Sequence, residues 1–266
     1  MKQRTIFFLY YRAGSTLFEC LCGKPWRIAQ VEGRLKEAGQ IHSAWRQSGD
    51  PFYLDTIPPC VSEDVSIPFI DAYNRYKDRN QFIYMLHVGD WWGQKRSKDI
   101  PEPFEDPTSQ KWGPDELIVL PEFNTWQFIY LVRDGRCQIE SLRNLKGGIE
   151  EKLNQQDPED YFKVLCMGFR NRARLVVESK KHWPNKVHIF HYIDFIRDPI
   201  NIVEQMFRAG GLILDREKIT IPSTGDIHSS FGKVRMIDNR YINWTEEEKD
   251  VFNKIAGQEN KELGYQ

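Results

Sequence analysis

The sequence is short of most features that name a partner at a glance. Its 37 lysines and arginines stand against 38 aspartates and glutamates, a formal net charge of −1, so no overall field draws it to nucleic acid or to an anionic membrane. Any anion site has to be built locally. The five cysteines (Cys20, Cys22, Cys60, Cys137, Cys166) are odd in number and lack framework spacing, and Cys20-x-Cys22 is not the Cys-x-x-Cys of redox or zinc motifs. A reducing, cytoplasmic setting with buried or idle thiols follows. No stretch reaches the roughly 18 apolar residues of a membrane span. The opening MKQRTIFFLYY sets basic residues before an apolar run as a signal peptide does, but the run is short and Arg12 interrupts it before any small-residue cleavage site. The six histidines show no ligand spacing, and neither His188-x-x-His191 nor the cysteine pair has companions, so no metal is expected. Internal repeats and low-complexity tracts are missing too. The expectation is a soluble protein in which residues 1–266 form one domain, with its oligomeric state open.

What is present is an alternation of short apolar runs with helical patterns. Runs at 5–11, 82–88, 128–132 and 187–192 are continuous rather than alternating, which suits strands covered on both faces. Helical patterns fall at 16–22, 136–145, 161–181, 200–209 and 246–256. Strands separated by helices predict an α/β fold of three layers, α/β/α, around a central parallel sheet. The proline-rich, charged segment 97–121 reads as a long surface excursion.

The chemistry starts at the stretch FFLYYRAGSTLFECL, where the first strand runs into a turn. In a parallel sheet a ligand sits beyond the carboxyl ends of the strands, where the next helix offers unpaired N–H groups and the positive end of its dipole. Gly14 lets the backbone approach a ligand closely, Arg12 brings a permanent charge, and Ser15 and Thr16 either cap the helix or give their hydroxyls to an anion. A Walker loop would need two glycines and a lysine before the hydroxyl, and this turn has one glycine and no lysine. The stretch WQFIYLVRDGRCQIESLRN repeats the layout: a buried strand, then Arg133, Asp134, Gly135 and Arg136, then a helix carrying Ser141. Two anion-suited turns imply a ligand with two separated anionic groups.

These motifs together resemble the sulfotransferases that use 3′-phosphoadenosine 5′-phosphosulfate (PAPS), a P-loop-like fold. YRAGSTL looks like their 5′-phosphosulfate loop, Arg12 to Thr16 including Ala13. FIYLVRDGRCQIES looks like their 3′-phosphate motif, an arginine at a strand end with a serine eight positions on, here Arg133 and Ser141. VHIFHYIDFIRDPINIVEQMFRAGGL resembles the strand, turn and following helix that place Tyr192 and Asp194, and HSSFGKVRMIDN resembles the stretch whose Ser229 and Phe231 would contact the adenine. INWTEEEKDVF…ENKELGY is similar to the closing helix. As residue types alone, Tyr192 and Phe231 suit a packed core as well as a base stack. The arginine in place of the commoner lysine at position 12 makes the loop similar to the tyrosylprotein and bacterial carbohydrate branches.

The resemblance implies transfer of a sulfuryl group to a hydroxyl or amine, leaving adenosine 3′,5′-bisphosphate (PAP) and requiring no metal. By analogy with phosphoryl transfer, positioning and electrostatic stabilisation carry such a step. WWGQKRS resembles a strand start of those branches that would bring Lys95 to the sulfonate, although Lys95 also fits a solvated basic run with Arg96 and Lys98. The acceptor needs a general base. The resemblance makes Glu32 the first candidate, because an acidic residue some twenty positions after the loop arginine fills this role in the arginine-bearing branches, although WRIAQVEGRLKEAG is equally an amphipathic helix with Glu32 on its solvated face. His87, ending its strand, is the rival, as in the branch that sulfates small phenols and steroids; His42 is a distant third. For the 3′-phosphate the resemblance adds Arg240 to Arg133 and Ser141, from a basic loop that also holds Lys233 and Arg235. The acceptor, a saccharide or small metabolite, would meet the acceptor-side insertions at 39–80 and 97–121, because loops at strand ends carry specificity. A different class stays open: a non-catalytic nucleotide-binding module would use the same two turns without a base, and a P-loop kinase relative would add a Walker lysine or a magnesium-binding acidic pair, neither of which stands in the right place.

Overall fold

The computed structural model describes residues 3–10, 13–14, 17–18, 21, 81–88, 118, 122–144, 155–211 and 240–266. Four strands, β1 (Gln3–Tyr10), β2 (Gln81–Val88), β3 (Trp126–Val132) and β4 (Val187–His191), make one sheet in the order β2-β1-β3-β4. Every pairing is parallel, with Leu9 beside His87 and Leu131, and Val132 beside His191. The helices are α1 (Gly135–Arg143), α2 (Pro158–His182), α3 (Tyr192–Arg197), α4 (Pro199–Ala209) and α5 (Glu246–Glu262).

Strand alternation sorts the apolar side chains into two cores. Ile6, Phe8, Trp126, Phe128, Tyr130 and Val132 point to one face, where α1, α2 and α5 cover them with Ile139, Leu142, Leu165, Phe169, Val176, Phe252 and Ala256. Phe7, Ile129 and Leu131 point to the other, under Phe18, Phe195, Val203, Met206 and Phe207. The rings interlock on both sides: Phe8 stacks on Tyr130 at 4.4 Å, and Phe7 lies 5.3 Å from both Phe18 and Phe207. Burying each such ring contributes about 2 kcal/mol. The three-layer α/β/α arrangement expected from the continuous apolar runs is therefore present, with residues of successive parity feeding opposite layers.

Local chemistry sets the helix starts. The Asp134, Asp157 and Asp198 carboxylates accept from the amides of Arg136, Asp160 and Asn201, and Pro158 and Pro199 fill first-turn positions where the missing N–H costs nothing. Thr245 and Glu248 form a reciprocal capping box at α5. No helix among the described residues is long and apolar enough to cross a membrane.

Three expectations shift. The strand expected over 187–192 ends at His191, and the expected turn holding Tyr192 and Asp194 is the short helix α3. Phe195 is the reason: it must turn back over the sheet to reach Phe18, 6.4 Å away in the second core. The last helix overruns its expected end at 256, because Asn260 and Leu263 continue the buried stripe of Phe252 and Ala256 at helical spacing. Of the expected excursion 97–121 only Ile118 is described, and it is exposed; residues 39–80 lie outside the described residues.

Candidate nucleotide site at the strand ends

The order β2-β1-β3-β4 fixes where a ligand belongs. In chain order β1 is followed by its neighbour on one side, β2, and β3 by its neighbour on the other, β4, so the strand order reverses between β1 and β3, the switch point at whose carboxyl ends open parallel sheets take their ligands. Both turns singled out in the sequence follow the strands at that switch point.

The first turn is built on Gly14. Its φ of +100° is a region that side chains rarely adopt, and a Cβ there would meet the Tyr192 ring at 2.8 Å. The Gly14 carbonyl accepts the Phe18 amide at 3.0 Å, the first link of a helical stretch to which Leu17, Phe18 and Leu21 belong. Strand end, left-handed glycine and helix start thus follow one another within a few residues. Ala13 is buried beside the first core.

The second turn carries Arg133, only 5% exposed, with its guanidinium 4.5 Å from the centre of the Tyr192 ring. Tyr192 therefore touches the Gly14 backbone on one side and Arg133 on another. One ring joins both turns at the switch point of the sheet. Ser141 is buried on α1.

The second turn differs from its expectation in one respect. The sequence suggests a helix start with free amides, yet those amides are occupied from within the protein. Gly135 N–H donates to the Asn260 side-chain oxygen (2.8 Å), and Arg136 N–H to the Asp134 carboxylate (3.0 Å). The Arg136 side chain also forks onto Asp134 (Nε 3.0 Å, Nη2 2.6 Å), donates to the Gln266 main-chain oxygen and lies 4.2 Å over the Tyr241 ring. Arg136 is a structural cation, and what this turn offers an anion comes from side chains rather than from the helix terminus. Gly135 is required for packing: a Cβ would lie 2.4 Å from the Phe169 ring.

Behind the turn sits a group of residues that the sequence reading passed over. Tyr265 Oη donates to the Val132 carbonyl (3.2 Å) and contacts His191 Nδ1 (3.0 Å). Burial holds the Tyr265 hydroxyl well above its ordinary pKa, and burial lowers that of His191 against the opposing pull of Asp194. The signal for Asn260 was available: an amide in the apolar stripe of a helix, four residues beyond Ala256, needs a polar partner.

The other candidates divide by position. His87 is the penultimate residue of β2, its Cα paired with that of Leu9 near the carboxyl end of the sheet. Arg240 begins a 3₁₀ turn, Arg240–Asn243, ahead of Trp244, which is buried in the first core and donates to Glu140 of α1 at 2.8 Å. Arg12, Ser15, Thr16, Glu32, His42, Lys95, Ser229, Phe231, Lys233 and Arg235 lie outside the described residues. Cys137 and Cys166 are buried thiols outside any disulfide, and burial pushes the Cys166 thiol up to about 12. Among the described residues no group of His, Cys, Asp and Glu is arranged to hold a metal.

Comparison with solved structures agrees on the fold. The sulfotransferase domain of the Synechococcus PCC 7002 olefin synthase superposes with a TM-score of 0.50 at 13% identity, covering 100% of this chain and 97% of that one. The sulfotransferase domain of the curacin biosynthetic pathway gives 0.49 at 12% identity, over 100% and 99% of the two chains. Mouse sulfotransferase SULT7A1, solved with PAP, gives 0.46 at 11%, over 99% and 89%. No family model and no curated protein matches the sequence. The chain has the fold of a sulfotransferase domain.

Proposed function

We propose that the protein is a PAPS-dependent sulfotransferase, moving a sulfuryl group to a hydroxyl or amine of a saccharide or small metabolite. The observation that carries this reading is Tyr192, whose ring is in contact with Gly14 of one strand-end turn and lies under Arg133 of the other. A nucleotide with phosphate at both its 3′ and 5′ positions is a ligand that two such adjoining turns would grip.

In this reading Arg133 and Ser141 take the 3′-phosphate with help from Arg240. Tyr192, Ser229 and Phe231 contact the adenosine, and Arg12, Ala13, Gly14, Ser15 and Thr16 cradle the 5′-phosphosulfate. As the bond between sulfur and the bridging oxygen breaks, negative charge grows on that oxygen and on the 5′-phosphate, where Arg12 and the hydroxyls stabilise it. Lys95 steadies the sulfonate. The acceptor oxygen or nitrogen attacks sulfur in line, and its proton passes to Glu32 or His87. Residues 39–80 and 97–121 supply acceptor contacts within one sulfotransferase domain spanning 1–266, working in the cytoplasm.

Calorimetry with adenosine 3′,5′-bisphosphate, adenosine 5′-phosphate and ATP with magnesium tests the nucleotide. Micromolar preference for the bisphosphate supports the reading, and preference for ATP with magnesium refutes it in favour of a kinase relative. Labelled donor offered to a panel of saccharides and small hydroxyl or amine compounds then tests transfer; tight binding with no transfer to any acceptor would favour a binding module. Glu32→Gln and His87→Asn identify the base, the true one slowing transfer by at least about tenfold.

A further inference from the structure

The carboxyl-terminal segment holds the strand-end arginine from both sides. Ahead of Arg133, the Val132 carbonyl accepts from Tyr265 Oη at 3.2 Å. Beyond it, Gly135 N–H donates to the Asn260 oxygen at 2.8 Å, and the Asn260 amide nitrogen lies 3.4 Å from the Asp134 carboxylate. Asn260 is 3% exposed and Arg133 5%, so this bracket is packed into the protein. The same Tyr265 hydroxyl contacts His191, the residue before Tyr192, whose ring lies under the Arg133 guanidinium. Two residues far along the chain thus fix the main chain on either side of Arg133 and the strand end that presents its stacking ring.

We propose that Asn260 and Tyr265 are positioning residues that set the Arg133 guanidinium for a nucleotide 3′-phosphate. Their work is selectivity for a nucleotide phosphorylated at that position over one that is not. The proposal rests on the nucleotide reading above. The peptide groups they hold are the ones that aim Arg133, and misplacement of a charged donor by even an ångström costs a large part of its interaction with an anion. Neither residue touches the ligand in this account; both act through the turn.

The test compares affinities for adenosine 3′,5′-bisphosphate and adenosine 5′-phosphate in the full chain and in Asn260→Ala and Tyr265→Phe, with thermal melts alongside. Tyr265→Phe keeps the ring and removes only the hydroxyl, so it remains informative should Asn260→Ala fold poorly. The expected result is a loss of about tenfold for the bisphosphate in either variant, and less than about twofold for the monophosphate. Equal losses for both nucleotides, tracking the melting temperature, would show a purely structural role and overturn the proposal. Unchanged bisphosphate affinity in Tyr265→Phe and in folded Asn260→Ala would overturn it too. A wild-type chain that does not prefer the bisphosphate sinks the nucleotide reading and this inference together, an outcome separate from a wild-type preference that the variants leave intact.

Discussion

The two strand-end turns solve one problem in different ways. At the first, a glycine with φ of +100° carries the chain from β1 toward a helix start, and its carbonyl is committed to the Phe18 amide. At the second, an aspartate and a distant asparagine take up the first amides of α1, and the turn presents a buried arginine. The first turn is specialised in backbone and the second in side chains. A ligand spanning both would meet main chain brought close by a glycine at one end and a fixed guanidinium at the other. A geometrically constrained guanidinium discriminates among anions by shape, whereas close backbone approach accepts many of them.

Glycine substitution separates the two most sharply. Gly135→Ala would drive a methyl to 2.4 Å from the Phe169 ring in a packed core, and we expect a loss of about 3 kcal/mol or failure to fold. Denaturant unfolding measures it, and Phe169→Leu should restore much of the stability because the obstacle is that ring. Gly14→Ala faces both the Tyr192 ring at 2.8 Å and an unfavourable backbone, so about 2 kcal/mol is expected. Here Tyr192→Ala should rescue little, since the positive φ remains. If both alanine variants are rescued equally by removing the facing ring, the distinction between a packing glycine and a conformational glycine is wrong.

Much of this was legible because it depends on neighbours in sequence. Continuous apolar strands, the arginine after β3 and the glycine after β1 are local patterns, and parallel pairing follows from strands alternating with helices. The short helix at 192–197 escaped because Phe195 is directed by Phe18, a partner 177 positions away in the chain (195 − 18). The occupied amides of α1 escaped for the same reason: Gly135 is satisfied from Asn260, and a helix start looks free when its cap comes from another helix. Arg136 stands three positions after Arg133 with the same charge, but Asp134, Tyr241 and Gln266 claim it. Sequence shows which groups have charge; only the fold shows which are already spent.

Arginine substitution sharpens the comparison at the side-chain end. Arg133→Ala should weaken adenosine 3′,5′-bisphosphate by about thirtyfold, in the range for a lost hydrogen bond to a charged group, and leave adenosine 5′-phosphate nearly untouched. Arg136→Ala should do the reverse of what its position suggests. It should lower the melting temperature by releasing Asp134 and Tyr241, with both nucleotides affected alike. Calorimetry on both variants decides, and a selective bisphosphate loss in Arg136→Ala would mean that the turn uses two cations rather than one.

The smallest expected effect is on pH dependence, and it falls behind the second turn. His188 and His191 on β4 both sit below the ordinary histidine value of 6.5, each chiefly through burial, with Lys180 adding to the shift at His188 and Asp194 opposing it at His191. His188 contacts the Gln127 side-chain oxygen and His191 the Tyr265 hydroxyl, both satisfied with neutral rings. Above pH 6.5 the folded and unfolded chains both carry neutral imidazoles, so these groups leave stability unchanged. As pH falls below 6.5 the unfolded chain takes up protons that the folded chain resists, and stability drops until the folded rings titrate as well. Urea midpoints between pH 7.5 and about 5 should therefore decline less steeply in a His188→Gln, His191→Gln double variant than in the parent. Identical slopes would mean that the β4 histidines are not held neutral by the packing behind Arg133, and that the carboxyl-terminal bracket is looser than its hydrogen bonds imply.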